Sequence, residues 1–187
     1  MTNPFKLAGM FLLATLLFTS CKDCDTTVTQ VTEDDTKWLV YDRGDTVRFV
    51  NENNETVRFT TSVLRADQVP GEGFNVTDNC IEQYDIQAVS IIEDTNKEYP
   101  RLATFFLKRP NTFDMALLVE EVGEYEINET QPTYPTATVN NNLYSEVFEV
   151  VRTDSSKTTN LKRILFNKEF GFLSVEYYNG KKLQLAQ

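Results

Sequence analysis

The sequence predicts an all-β fold: one antiparallel domain of about 10–12 strands, as a curved sheet or half-barrel or as a sandwich. Three observations predict it. From Trp38 onward, short runs with apolar residues at every second position recur between polar turn clusters. The clusters are rich in Asn, Asp, Pro and Gly, which punctuate strands. No segment carries the apolar spacing of a convincing amphipathic helix, and a short helical turn has its best chance at 65–69 or 76–81.

In chain order the expected strands are 37–41, 46–50, 56–64, 81–93, 101–108, 113–119, 124–127, 136–139, 146–152, 162–166, 172–177 and 182–185. The breaks fall at 51–54, 70–73, 94–97, 110–111, 140–142 and 179–180. Two hairpins can be read to the register. Val47 and Phe49 share one strand face, as do Val57 and Phe59. For those faces to coincide, paired residue numbers must sum to an even value, which requires a three-residue loop, Glu52–Asn54, with Asn54 left-handed. Arg48 then stands opposite Arg58 on the other face, a repulsion of a few tenths of a kcal/mol. The two arginines either splay toward nearby carboxylates or mark an anion contact. At Asn179-Gly180, a two-residue turn would oppose Leu183 to Glu176. A three-residue loop over Tyr178–Gly180, with Gly180 left-handed, pairs Val175 with Leu183 and Leu173 with Leu185, so core matching selects it.

The N-terminal region carries a different signal. Lys6 precedes an apolar run, Leu7–Phe18, of signal-peptide length, well short of the roughly 20 residues that span a bilayer core. Phe18-Thr19-Ser20-Cys21 resembles the lipobox of bacterial lipoproteins. The resemblance implies that residues 1–20 are cleaved and that Cys21 becomes an acylated N-terminus, its thiol taking the lipid. Lys22-Asp23-Cys24-Asp25 is similar to the lysine-then-acidic surface-export tag of Bacteroidota lipoproteins, with a cysteine interrupting it. Residues 21–36 are expected to form the anchor and a flexible, acidic, Thr-rich linker, and 37–187 the β domain. Asp25-Thr26-Thr27 and Asp45-Thr46-Val47 resemble a short O-glycosylation pattern of the same group, with Thr26 and Thr46 as acceptors.

Charge and composition exclude several functions. The leader holds only Lys6 among charged side chains, so 17 basic and 28 acidic residues remain after it, a net charge of −11. Such a chain lacks the basic footprint that nucleic acid requires. It is also repelled by anionic lipid, so lipidation rather than charge must hold it at a bilayer. The chain has no histidine, which removes Ser-His-Asp and Cys-His catalysis and histidine-ligated zinc. Glu120 and Glu121 point to opposite strand faces and make poor acid/base partners. The acidic turn Asp94–Glu98 lacks EF-hand spacing, and neither a metal nor a cofactor is expected. Pro132-Thr133-Tyr134-Pro135 reads either as an aromatic surface for sugar or peptide or as a packed loop. Beyond Cys21 stand Cys24 and Cys80. Either they form a disulfide worth about 4 kcal/mol, which would also shorten the tether, or Cys24 is free in the linker and Cys80 is buried.

The last third has a recognisable order: an Asn-rich turn at 140–142, Tyr144, Val147-Phe148-Glu149-Val150, the run Ile164–Leu173 containing Lys168 and Gly171, then Tyr177 and Asn179-Gly180. Over about 137–185 it resembles uncharacterised lipoproteins of the Bacteroidota outer membrane. The resemblance implies an antiparallel sheet, curved like the half-barrel of lipoprotein carriers, and brings no catalytic residue. The expected function is binding or structural interaction in the cell envelope, without enzymatic activity. The expected partners are the outer-membrane bilayer through Cys21 and either an envelope protein or an apolar ligand in the concavity of the sheet. The alternative is a carboxylate-dependent hydrolase acting on cell-surface glycan.

Overall fold

In the computed structural model, residues 24–186 are described; the leader and Cys21 lie outside them. The fold is all-β. After a two-residue strand β1 (Thr27–Val28), a single helical turn α1 (Glu33–Thr36) and a 3-10 turn (Lys37–Leu39), eleven strands follow. They are β2 (Thr46–Asn51), β3 (Thr56–Pro70), β4 (Gln83–Asp94), β5 (Leu102–Lys108), β6 (Phe113–Val119), β7 (Gly123–Ile127), β8 (Tyr134–Val139), β9 (Asn142–Val151), β10 (Leu161–Asn167), β11 (Gly171–Tyr177) and β12 (Lys182–Leu185). They form one curled antiparallel half-barrel in the order β7-β6-β5-β4-β3-β2-β12-β11-β10-β9-β8. All neighbours are successive in sequence except β2 and β12, which join at Phe49–Leu185 and Asn51–Leu183. No helix among the described residues is long and apolar enough to cross a membrane.

Both hairpin registers follow from matching buried faces. Val47 pairs with Phe59 and Phe49 with Val57, Arg48 faces Arg58, and Asn54 is left-handed at φ 62°. Val175 pairs with Leu183, and Gly180 sits at φ 85° with Tyr177 N–H donating to Lys181 O at 3.0 Å. In both loops the extra residue adopts the left-handed conformation that Asn or Gly tolerates.

Three expectations need correction. Lys37–Tyr41, expected as a strand, is a 3-10 turn followed by irregular chain. The decisive local signal is Thr32-x-x-Asp35, a capping box. Asp35 N–H donates to Thr32 Oγ1 at 3.1 Å and Thr32 N–H to Asp35 Oδ2 at 2.9 Å. This starts a helical turn and swings Trp38 into the half-barrel, where its ring lies 5.4 Å from that of Phe148 and 6.3 Å from that of Phe166. Second, residues 65–69 extend β3 to Pro70 rather than forming a turn. Their largely exposed side chains give no periodic signal, and the ladder to β4 holds them extended. Third, residues 24–36, expected as flexible linker, are built into the domain. Thr27 and Val28 pair in parallel with Gln83 and Tyr84, and buried Thr29 donates to buried Asp85 at 3.1 Å.

The N-terminal segment therefore acts as a plug across one end of the half-barrel. Asp34 pairs with Lys168 at 2.8 Å and Asp35 with Lys108 at 3.4 Å, so α1 bridges the β10–β11 turn and the end of β5. Lys168 Nζ also lies 5.0 Å over the Trp38 ring. Tyr41 completes the plug: its carbonyl accepts from Ser90 Oγ at 2.9 Å, and its hydroxyl accepts from Phe172 N–H at 2.7 Å. Alternation holds on β4, where Ala88, Ser90, Ile92 and Asp94 face inward, but fails on β11, where Leu173, Ser174 and Val175 are all buried. There the β10–β11 ladder shifts register between Leu165 and Phe166, which breaks the alternation. The β8–β9 hairpin has Glu146 at φ 50° and is tied by Asn140 Nδ2 to Leu185 O and by Asn167 Nδ2 to Ser145 O, each at 3.2 Å.

Candidate functional site

At the end of the half-barrel away from the plug, the β4–β5, β6–β7 and β11–β12 turns and Thr159 enclose a cleft of about 270 Å³. Each turn delivers its residues by local chemistry. Buried Asp94 ends β4 with its carboxylate accepting from Asn96, Glu98 and Tyr99 N–H at 3.0, 2.9 and 3.3 Å. These bonds fold Asp94–Tyr99 into a tight turn, with Lys97 at φ 58°, and aim Tyr99 at the cleft. The three-residue loop after Tyr177 places Asn179 and Lys181 on the rim, and Lys181 Nζ stands 5.3 Å over the Tyr99 ring. Glu120 is clamped by Arg101, which donates its N–H at 3.1 Å and its Nε at 2.8 Å and adds an ion pair through the guanidinium.

Tyr177 forms the wall. It is only 6 % exposed, and its hydroxyl has no hydrogen-bond partner among the described residues. Burial pushes its pKa well above the ordinary phenol value, and the phenols of Tyr125 and Tyr99 reinforce the shift. Tyr99 is likewise raised, chiefly by burial. The Tyr177 hydroxyl therefore stays protonated, able to donate as well as accept. A buried hydroxyl without a partner costs roughly 1–3 kcal/mol.

A larger recess of about 940 Å³ lies at the other end, between the plug and β3. Its cations pair locally, Lys37 and Lys168 with Asp34 and Arg65 with Asp67, while Glu33, Asp42, Glu146 and Glu169 line it without an ion pair among the described residues. The expected site residues are spread across the molecule. Cys24 and Cys80 are joined as a disulfide, with Cα atoms 5.9 Å apart. Thr26 is exposed and donates to Ile81 O at 3.0 Å, and Thr46 is exposed on β2 opposite Thr60. Arg48 and Arg58 are exposed on the outer face and take no ion pair among the described residues. Tyr134, in the proline-flanked segment, donates to Glu149 at 2.7 Å, and Arg163 Nε holds the same carboxylate at 2.6 Å. Asp94 spends its carboxylate on backbone N–H groups. No cluster of metal-ligand type occurs among the described residues.

Sequence reasoning did not find the cleft. Tyr99, Tyr125 and Tyr177 come from three separate hairpins, and only the closure of the sheet brings them to one end. The local signal available was Asp94 placed before Asn96, Glu98 and Tyr99, the pattern of a carboxylate-organised turn. No family model, no curated protein and no solved structure matches the chain.

Proposed function

We propose that this chain is a lipid-anchored, non-enzymatic binding protein of the cell envelope, held at the outer membrane through acylated Cys21. Its cleft takes one small polar group of sugar-ring size. The observation that carries this is the cleft wall, where Tyr99 and Tyr177 stand beside Glu98, Glu120, Asn179 and Lys181. At about 270 Å³ the space is below the roughly 300–1,000 Å³ of sites for drug-sized ligands, so a single ring fits. Tyrosine faces beside carboxylate, amide and hydroxyl groups suit a ring with an apolar face and polar edges. The concave side of the sheet is packed with the chain's own Trp38, Phe49, Phe106 and Phe166, which argues for a ligand at the rim rather than an apolar ligand in the concavity.

The carboxyls favour binding over hydrolysis. Those with displaced pKa values, Asp34, Asp35, Glu52, Glu120 and Asp154, all lie below the ordinary value. A glycosidase needs one carboxyl raised, to serve as general acid. The test is ligand-observed NMR with methyl glycosides of common hexoses and N-acetylhexosamines. Saturation transfer is expected to at least one of them, and Tyr177→Phe should abolish it while keeping the ring in the core. No transfer to any glycoside, or unchanged transfer in the variant, would overturn the proposal.

A further inference from the structure

The disulfide fixes where the chain enters the domain, and with it which face meets the bilayer. Cys24 is bonded to Cys80, at the far end of the loop between β3 and β4. Cys24 lies three positions after Cys21, with Lys22 and Asp23 between, and at full extension three steps reach roughly 11 Å. If Cys21 carries the lipid, the β3–β4 loop cannot leave the membrane surface. The tip of that loop is the turn Asn75–Asp78. Asp78 N–H donates to Asn75 O at 2.8 Å, and Asn75 N–H to Asp78 Oδ2 at 2.8 Å. Thr77 N–H donates to Asn75 Oδ1 at 3.0 Å. The turn holds Val76 outward at 91 % exposure, well above the other exposed large apolar residues, Leu143 and Val151.

We infer that the β3–β4 tip is the membrane-contacting surface of the protein, with Val76 resting in the lipid interface beside the acyl anchor. The inference rests on the acylation of Cys21 proposed above. The partner is a lipid surface because Cys21 lies three positions from the Cys24–Cys80 bond, which itself sits two positions past this turn; a protein partner would have to share that space with the bilayer. The surrounding Glu72, Asp78 and Glu82 select a zwitterionic rather than an anionic surface. β3 and β4 then stand up from the membrane. β4 runs from the tip to Asp94, roughly 35–40 Å at strand rise, which presents the Tyr177 cleft away from the bilayer.

The experiment uses the mature acylated protein on phosphatidylcholine vesicles with and without brominated acyl chains. Val76→Trp reports on the tip, and Asn53→Trp, in the exposed β2–β3 turn, reports on the opposite end. Both are read against the buried Trp38 background. Vesicle-bound Val76→Trp should lose most of its added emission to bromine, and Asn53→Trp should lose none. A Cys24→Ser/Cys80→Ser pair in the Val76→Trp background should still float with vesicles and lose only part of its quenching, because Thr27 and Val28 remain paired with Gln83 and Tyr84 and keep the chain entry beside the loop. Equal quenching at both positions, or none at Val76→Trp in protein that floats, would overturn the orientation and leave the anchor standing. Failure of the wild-type protein to float with vesicles would remove the anchor, and the orientation with it.

Discussion

The phenol of Tyr41 occupies the space that a side chain on residue 171 would need. Gly171 sits at φ 79°, a Cβ there would collide with the Tyr41 hydroxyl, and that hydroxyl accepts the Phe172 N–H at 2.7 Å. The plug is keyed to the sheet by a missing side chain. Gly171→Ala should therefore cost about 2–4 kcal/mol, from left-handed strain and overpacking. Tyr41→Phe should cost about 1–3 kcal/mol, by leaving a buried N–H unpartnered. Urea titration followed by Trp38 fluorescence checks both. Equal stability of Gly171→Ala and wild type would refute the lock.

Acid should loosen the plug. The Lys168 ammonium beside Asp34 holds that carboxyl below the usual range. Burial pushes Asp35 up, but hydrogen bonds from Thr32 and the charge of Lys108 outweigh it, so Asp35 is also lowered. A group depressed in the folded state contributes stability above its unfolded pKa and loses it as pH falls through the folded value. The window thus lies below the ordinary aspartate value of 3.8. Asp34→Asn with Asp35→Asn should flatten the fall in stability within that window. An acid limb identical to wild type, in denaturant midpoints taken along the pH series, would count against the ion pairs.

The Arg48–Arg58 pair carries a cost that the β2–β3 register imposes, since Arg48 and Arg58 are direct partners on the exposed face. Arg58→Glu replaces repulsion with a cross-strand ion pair. It should raise stability by up to about 1 kcal/mol, with the gain shrinking as salt is added. Thermal melts at low and high salt measure it, and a destabilised variant at low salt would contradict the pairing.

The all-β class and most strand positions were legible because one buried face imposes a period of two, whereas half-barrel against sandwich was not. Where Val47, Phe49, Val57 and Phe59 had to share a face, parity alone selected the loop. Legibility failed where that constraint lapsed. The second half of β3 is largely exposed and has no face to declare. Trp38–Tyr41 is a four-residue apolar run that periodicity cannot assign to strand or turn, and the capping box before it settled the matter. The candidate cleft was hidden for another reason. Tyr99 and Tyr177 are ordinary strand-end tyrosines until the turn at Asp94 and the curl of the sheet bring them together.

The β2–β12 seam also has a consequence in time. Phe49 and Leu185 are direct partners across it, so the centre of the sheet is stitched by the first and last of its eleven strands. During folding, β2–β7 can assemble as one meander and β8–β12 as another, but the two halves stay separate until β12 arrives. Pairing at such sequence separation is slow, and it leaves strand edges bare while it is awaited. The edge of β2 is thus the most vulnerable surface of the newly made chain, and β12 is the strand that ends the exposure.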